Sequence, residues 1–203
     1  PRGSGGTWGG CWQPGQEASL RLTMYLLQEG FTVGAATQHL RADGQSWPAG
    51  TYVARIQRNP ATLHDRIAAL AARTGAQVTA VQSAYPDSGQ TGVGSESVEV
   101  LHAPRILLAA GDGVSQTSFG DVWYWLEREL EVPVVPVALA SLGRVNLTDY
   151  NVMIIPEGSP GRMWRELGAG NGERLKEWVE GGGSIIAFGG SAGKLVVQAL
   201  SEE

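Results

Sequence analysis

Apolar and polar positions along this chain switch repeatedly between a period near 3.6 and a period near 2, and the switches divide it into short elements. From 17 to 29, Leu20, Leu22, Met24, Leu26 and Leu27 stand among polar residues and the run ends at Gly30, which predicts a helix with a glycine stop. Phe31-Thr32-Val33 and the longer Gly50–Ile56 read as strands, with a polar loop over 38–46 between them. Asn59-Pro60 followed by the stripe Leu63, Ile67, Leu70 and Ala71 predicts a helix opened by an Asn cap and closed at Gly75. Val78–Val81 is the next strand. The first sixteen residues show neither period; they are rich in glycine, carry Trp8 and Trp12, and predict an extended or loosely packed arm.

The second half repeats the alternation with stronger signals. Ser83–Ser97 is rich in Gly, Ser, Asp and Pro and reads as a functional loop or a linker, so the internal boundary is set just before Pro104. Ile106–Ala110 is a continuous apolar run, the mark of a strand buried on both faces of a parallel sheet. A helix over 122–130, led in by Ser118–Asp121, comes next. Val132–Val137 is a strand that Pro133 and Pro136 push toward a sheet edge. Val152–Pro156, a helix over 173–180 stopped by three glycines, Ile185–Phe188 and a last helix from about 192 to 201 complete the chain. Strand and helix alternate throughout, which predicts an α/β fold with a doubly wound, mostly parallel sheet and helices on both faces. The expected organisation is an arm over 1–16, an α/β lead-in segment over 17–103 packing on the main domain, and an α/β main domain over 104–203.

Composition narrows the function classes. Fifteen Lys and Arg against twenty Asp and Glu leave a net charge of −5, with no basic cluster, which argues against nucleic acid as a partner. No apolar run approaches the ~18 residues of a membrane span. The single Cys11 can form neither an internal disulfide nor a cysteine-rich metal site. Pro1-Arg2-Gly3-Ser4 reads as the remnant of a cleavable tag, and the absence of an initiator Met suits a processed or excised piece.

In a doubly wound sheet the site lies beyond the carboxyl ends of the strands. Three turns are expected there, carrying Asp112, Gly113 and Ser115, then Glu157, Gly158 and Ser159, then Gly190 and Ser191. Gly189–Gly193 matches G-x-S-x-G, in which glycines let a strand turn sharply into a helix and hold a serine nucleophile above the sheet. A serine nucleophile needs a base, and in sheets of this kind the histidine follows it in sequence. None follows Ser191: His39, His64 and His102 all precede the boundary. Ser191 is therefore a catalytic candidate whose simpler reading is a cap on the last helix. Ser191 and Lys194 also fit S-x-x-K, but S-D-N and K-T-G are absent. Asp112 and Glu157 could together bind a cation or act as acid and base, although acids after strands more often cap turns. There is no H-x-x-E, H-E-x-x-H or C-x-x-C zinc motif, and Gly111-Asp112-Gly113 stops short of G-x-G-x-x-G because position 116 is Gln. Trp123, Trp125, Trp164 and Trp178 fit core and rim better than a carbohydrate platform.

The segment from Arg105 to Leu200 resembles a known domain. The turns Gly111–Ser115, Ser118–Trp123, Asp149–Val152, Ile155–Ser159 and Gly182–Ala187 are similar to those of the class I glutamine amidotransferase-like, flavodoxin-like domain at the C-terminus of certain bacterial zinc carboxypeptidase-like proteins. Trp47–Val53 and the helix after it resemble the region joining their peptidase module to that domain, so the likeness runs from about residue 18. The resemblance implies an accessory, non-catalytic domain of a larger hydrolase with a structural, docking or ligand-binding role. Its partner would be a peptidase module upstream in the same polypeptide, which would hold the zinc; no cofactor is implied for this chain. A secreted or periplasmic setting is implied as well. True amidotransferases of this fold carry Cys at the elbow and a later His, whereas Ser191 stands here and no His follows; related dipeptidases do use Ser. The alternative reading is a serine hydrolase or amidase acting through Ser191, and a third is a small-molecule sensor using the crevice between the three turns.

Overall fold

A computed structural model describes residues 9–82 and 97–200, apart from the side chain of Ser191. The chain divides into two compact units, Pro1–Ala103 and Pro104–Glu203. The loop or linker expected over 83–97 lies outside the described residues except for Ser97, as do the first eight residues of the expected arm.

The first unit contains β1 (Gly9–Trp12), α1 (Glu17–Gln28), β2 (Gly34–Ala36), β3 (Leu40–Ala42), β4 (Gln45–Trp47), β5 (Tyr52–Arg55), α2 (Leu63–Thr74), β6 (Thr79–Val81) and β7 (Val98–Val100). Five of these strands form a sheet in the order β6-β1-β5-β2-β7, and every neighbouring pair is antiparallel. The mostly parallel sheet expected of the whole chain thus fails in this half. Each β-α-β crossover skips one place, and the gap it leaves is filled by an antiparallel strand from the other crossover: β1-α1-β2 straddles β5, and β5-α2-β6 straddles β1. That is the split β-α-β-β-α-β arrangement of ferredoxin-like folds. Helix–strand alternation reads identically in a parallel sheet and in this one.

The expected arm is corrected where it is described. Gly9–Trp12 is a strand inside the sheet, with Cys11 and Trp12 buried. A Cβ on Gly9 would lie 2.5 Å from the Ala54 carbonyl oxygen, so the glycine is what lets the two backbones meet. Trp12 packs under α1 and α2 with Leu22, Leu26, Leu63, Ile67 and Leu70, and its indole N–H donates to Thr23 Oγ1 at 3.0 Å. Cys11, Val53 and Val81 belong to a separate cluster with Leu40, Ala42 and Trp47 of the β3–β4 hairpin. The hairpin replaces the expected polar loop over 38–46. Its turn is Asp43-Gly44, both left-handed at φ 50° and 73°, as a two-residue turn matching strand twist requires. The cap expected at Asn59 is also corrected. Helix α2 begins at Leu63, and the Asn59 amide instead donates to the carbonyls of Thr32 (2.9 Å) and Arg55 (2.8 Å) while its Oδ1 accepts from Thr32 N (2.6 Å).

The second unit contains β8 (Ile106–Ala110), α3 (Gln116–Tyr124) continued by a π-helical turn over Trp125–Glu129, β9 (Val134–Ala138), β10 (Val152–Ile155), α4 (Pro160–Leu167), α5 (Ala169–Glu180), β11 (Ser184–Ala187) and α6 (Gly189–Leu200). Its four strands are all parallel, in the order β11-β10-β8-β9. Strand β9 is at an edge, the position in a sheet where a proline is tolerated. Leu107 and Ala109 of β8 and Met153 and Ile155 of β10 share a core with Met163, Leu167, Leu175, Ala192, Leu195 and Ala199 of α4, α5 and α6. Alternation along the strands sends Ile106, Leu108 and Ile154 to the opposite face, where they are buried too. Because the strands are parallel, the turns after β8, β10 and β11 all leave the sheet at one edge. The strand order reverses between β8, which continues outward to β9, and β10, which continues the other way to β11.

Candidate functional site

The turn after β8 bends at Gly111 (φ 100°) and Gly113 (φ 87°), two left-handed positions that a side chain would strain. Asp112 closes it by accepting from Gly113 N at 2.9 Å. Ser115 then caps α3: its Oγ accepts from Ser118 N at 3.3 Å. The turn after β10 lies directly alongside. Ser115 N donates to the Glu157 carbonyl at 2.8 Å, Ser159 N donates to the Gly113 carbonyl at 2.7 Å, and Val114 faces Gly158 in an antiparallel bridge. Glu157 N donates to Ser118 Oγ at 3.0 Å. The seam is tight enough that a Cβ on Gly158 would fall 2.1 Å from the Gly113 carbonyl oxygen.

Between these turns, above the point where strand order reverses, opens a cleft of about 590 Å³. Its walls are Ala110–Gln116, Phe119, Gly158, Ser159 and Arg162. Arg162 stands in the first turn of α4, with Nη1 4.0 Å from Asp112 Oδ1; both side chains are well exposed, so the pair contributes little to stability and both charges face solvent.

Of the sequence-derived candidates, Asp112, Gly113, Ser115, Gly158 and Ser159 line one cleft. Glu157 does not line it. Its carboxylate turns toward the third turn, where a Cβ on Gly189 would be 3.0 Å from Oε1. The two acids proposed as a pair therefore serve different places. A Cβ on Gly190 would meet nothing within 4 Å. The Ser191 side chain lies outside the description, but its backbone is inside α6. The left-handed residue at this bend is Gly189 (φ 73°), two positions before the serine. A nucleophile elbow places the sharp turn at the serine itself. Arg162, Gln116 and Phe119 were not singled out from the sequence. Pro160, which takes a first-turn position in α4, was the available signal for a helix presenting Arg162 to this edge.

The cleft presents one carboxylate, one guanidinium, an amide, hydroxyls and a phenyl ring. Two hydroxyls near it, Ser115 Oγ and Ser118 Oγ, already accept from backbone N–H groups. No histidine occurs between residues 104 and 203. His39, His64 and His102 are exposed residues of the first unit, and His39 Nδ1 is 3.3 Å from Ser46 Oγ. Among the described residues no three His, Cys, Asp or Glu side chains gather closely enough to hold a metal ion, and no helix is long and apolar enough to cross a membrane. No protein-family model matches the chain, and no curated protein or solved structure shows significant similarity to it.

Proposed function

We propose that residues 104–203 form a ligand-binding, non-hydrolytic domain of the class I glutamine amidotransferase-like, flavodoxin-like kind, doubly wound about the parallel sheet. The observation that carries this reading is the cleft at the reversal of strand order between β8 and β10, the position at which open parallel sheets bind ligands. Right-handed crossovers would put the β8–β9 connection and the β10–β11 connection on opposite faces of the sheet. The resemblance extends the proposal: the domain is an accessory to a zinc carboxypeptidase-like peptidase, zinc belonging to that upstream module.

The rival serine hydrolase requires Ser191 to be activated. The helical backbone at position 191 and the lack of histidine in this unit favour the binding role. Fluorophosphonate labelling of the purified chain decides between them. The expected result is no labelling; labelling that disappears in Ser191→Ala overturns the proposal. A thermal-shift screen of polar metabolites should give ligands whose effect is lost when Arg162 is changed to Ala, and a screen without such hits counts against the cleft. The peptidase context is checked in the native gene, where an upstream H-x-x-E zinc module is expected and its absence removes that part of the proposal.

A further inference from the structure

A second depression in the C-terminal unit lies away from the β8–β10 cleft, on the helical layer. It has a volume of about 430 Å³ and is bounded by Trp164 of α4, by Ala169, Gly170, Gly172, Glu173 and Lys176 of α5, and by Gln198 and Ala199 of α6. Small residues make its floor. The Trp164 indole is half-buried and packs over Gly172, whose added Cβ would be 3.2 Å from the ring, so the ring is held in one orientation from below. Among the described residues no hydrogen bond or ion pair engages the Trp164 N–H, the Glu173 carboxylate or the Lys176 ammonium.

From this arrangement we infer that the groove binds a neutral saccharide chain. The inference is independent of the proposed function of the cleft. An indole fixed at a groove wall offers an apolar surface for the C–H face of a pyranose, together with one N–H donor. Around it stand an acceptor (Glu173) and a donor (Lys176), the two roles that a sugar hydroxyl can meet at once. The two formal charges are opposite, so a ligand of either net charge meets a repelling group as well as an attracting one, and an uncharged polar ligand meets none. The walls are helices, with Ala169 and Gly170 opening α5 and Gln198 and Ala199 closing α6, so an extended peptide would find no strand edge to pair with. The sequence alone did not separate Trp164 from the other tryptophans; its place in this groove does.

The test uses the full chain labelled with ¹⁵N, following the indole N–H signal assigned through Trp164→Phe. Cellohexaose and chitohexaose are the probes, with hexa-alanine as the peptide control. The expected result is a saturable shift of the Trp164 signal with at least one saccharide and none with the peptide. Trp164→Ala should weaken binding at least ~10-fold, measured by calorimetry. Gly170→Leu should abolish it: a Cβ there meets nothing within 4 Å, so the variant fills the groove without disturbing the fold, and an unchanged melting temperature verifies this. Glu173→Gln and Lys176→Gln should each cost a few-fold. No saturable shift at saccharide concentrations up to ~10 mM overturns the inference. So does binding that survives in Gly170→Leu, and so does a preference for the peptide.

Discussion

The seam between the turns after β8 and β10 can be tested by one methyl group. Gly158→Ala places a Cβ 2.1 Å from the Gly113 carbonyl oxygen, whereas carbon and oxygen ordinarily come no closer than ~3.2 Å. Both sides of the contact are backbone, so no side-chain rotation relieves it, and the turns must separate by about 1 Å. The same seam carries the hydrogen bonds Ser115 N to Glu157 O (2.8 Å) and Ser159 N to Gly113 O (2.7 Å). Stretching both forfeits ~1 kcal/mol each, and residual crowding adds to that, for an expected loss of ~2–4 kcal/mol. For a domain of ~100 residues this lowers the melting temperature by ~10–20 °C. The control is Gly161→Ala in the first turn of α4, where an added Cβ meets nothing within 4 Å; replacing a helical glycine by alanine should leave stability unchanged or raise it by up to ~1 kcal/mol. Urea unfolding followed by tryptophan fluorescence reads both, and ligands found by thermal shift should lose their effect only in the first. A cost below ~1 kcal/mol for Gly158→Ala, or equal effects at the two positions, refutes the seam as described.

Three further outcomes follow from the first unit and the third turn. Asn59→Ala removes three hydrogen bonds that join the start of β2 to the end of β5 and should cost ~2–3 kcal/mol in denaturant unfolding, whereas loss of a helix cap alone would cost ~1 kcal/mol. Burial, reinforced by Asp43, pushes the Cys11 thiol up to about 12 from 9.0, so in the native protein it should react with a disulfide reagent at pH 8 only through unfolding. As pH rises above 9 the unfolded chain gives up this proton while the native state keeps it, so native stability falls with pH at up to ~1.4 kcal/mol per unit. Cys11→Ala should flatten that slope between pH 9 and 12, and an unchanged slope defeats the assignment. Gly189→Ala should cost ~1–2 kcal/mol from the left-handed backbone. Pairing it with Glu157→Ala should recover only the part due to the 3.0 Å contact with the carboxylate, and full recovery would show that the backbone angle is not the constraint.

What could be read from the sequence depended on whether the decisive partner was local. Ile106–Ala110 declared a buried parallel strand because both its faces meet apolar neighbours, and such a strand needs no polar alternation. Gly113 and Gly158 were legible as turn residues at the correct edge because parallel strands must all end there. The β3–β4 hairpin carried its own signal in Asp43-Gly44, but so short a pair of strands looks polar when Leu40, Ala42 and Trp47 are read one at a time. By contrast Gly9–Trp12 opens with two glycines, which are depleted in strands. It is a strand because Ala54 and Ala80 lie on either side of Gly10, and no local rule anticipates neighbours about 40 and 70 residues away. Asn59 shows the same limit: Asn before Pro is a fair cap by local rules, yet Thr32, 27 residues earlier, takes the side chain.

The serine motif shows the limit from the other side, since every local feature of a nucleophile elbow is present and the geometry still differs. G-x-S-x-G supplies glycines at both ends but does not specify which residue takes the bend. Here Gly189 takes it, with φ 73° and with the Glu157 carboxylate packed where any side chain would project. The bend is then complete before residue 190, and the backbone at 191 continues as helix. The acid that could have served a catalytic pair is drawn to this third turn instead of the cleft, and the cleft keeps Asp112 opposite Arg162. The cleft thus holds one charge of each sign beside two helix starts, and the histidine that usually serves a serine nucleophile is absent between residues 104 and 203.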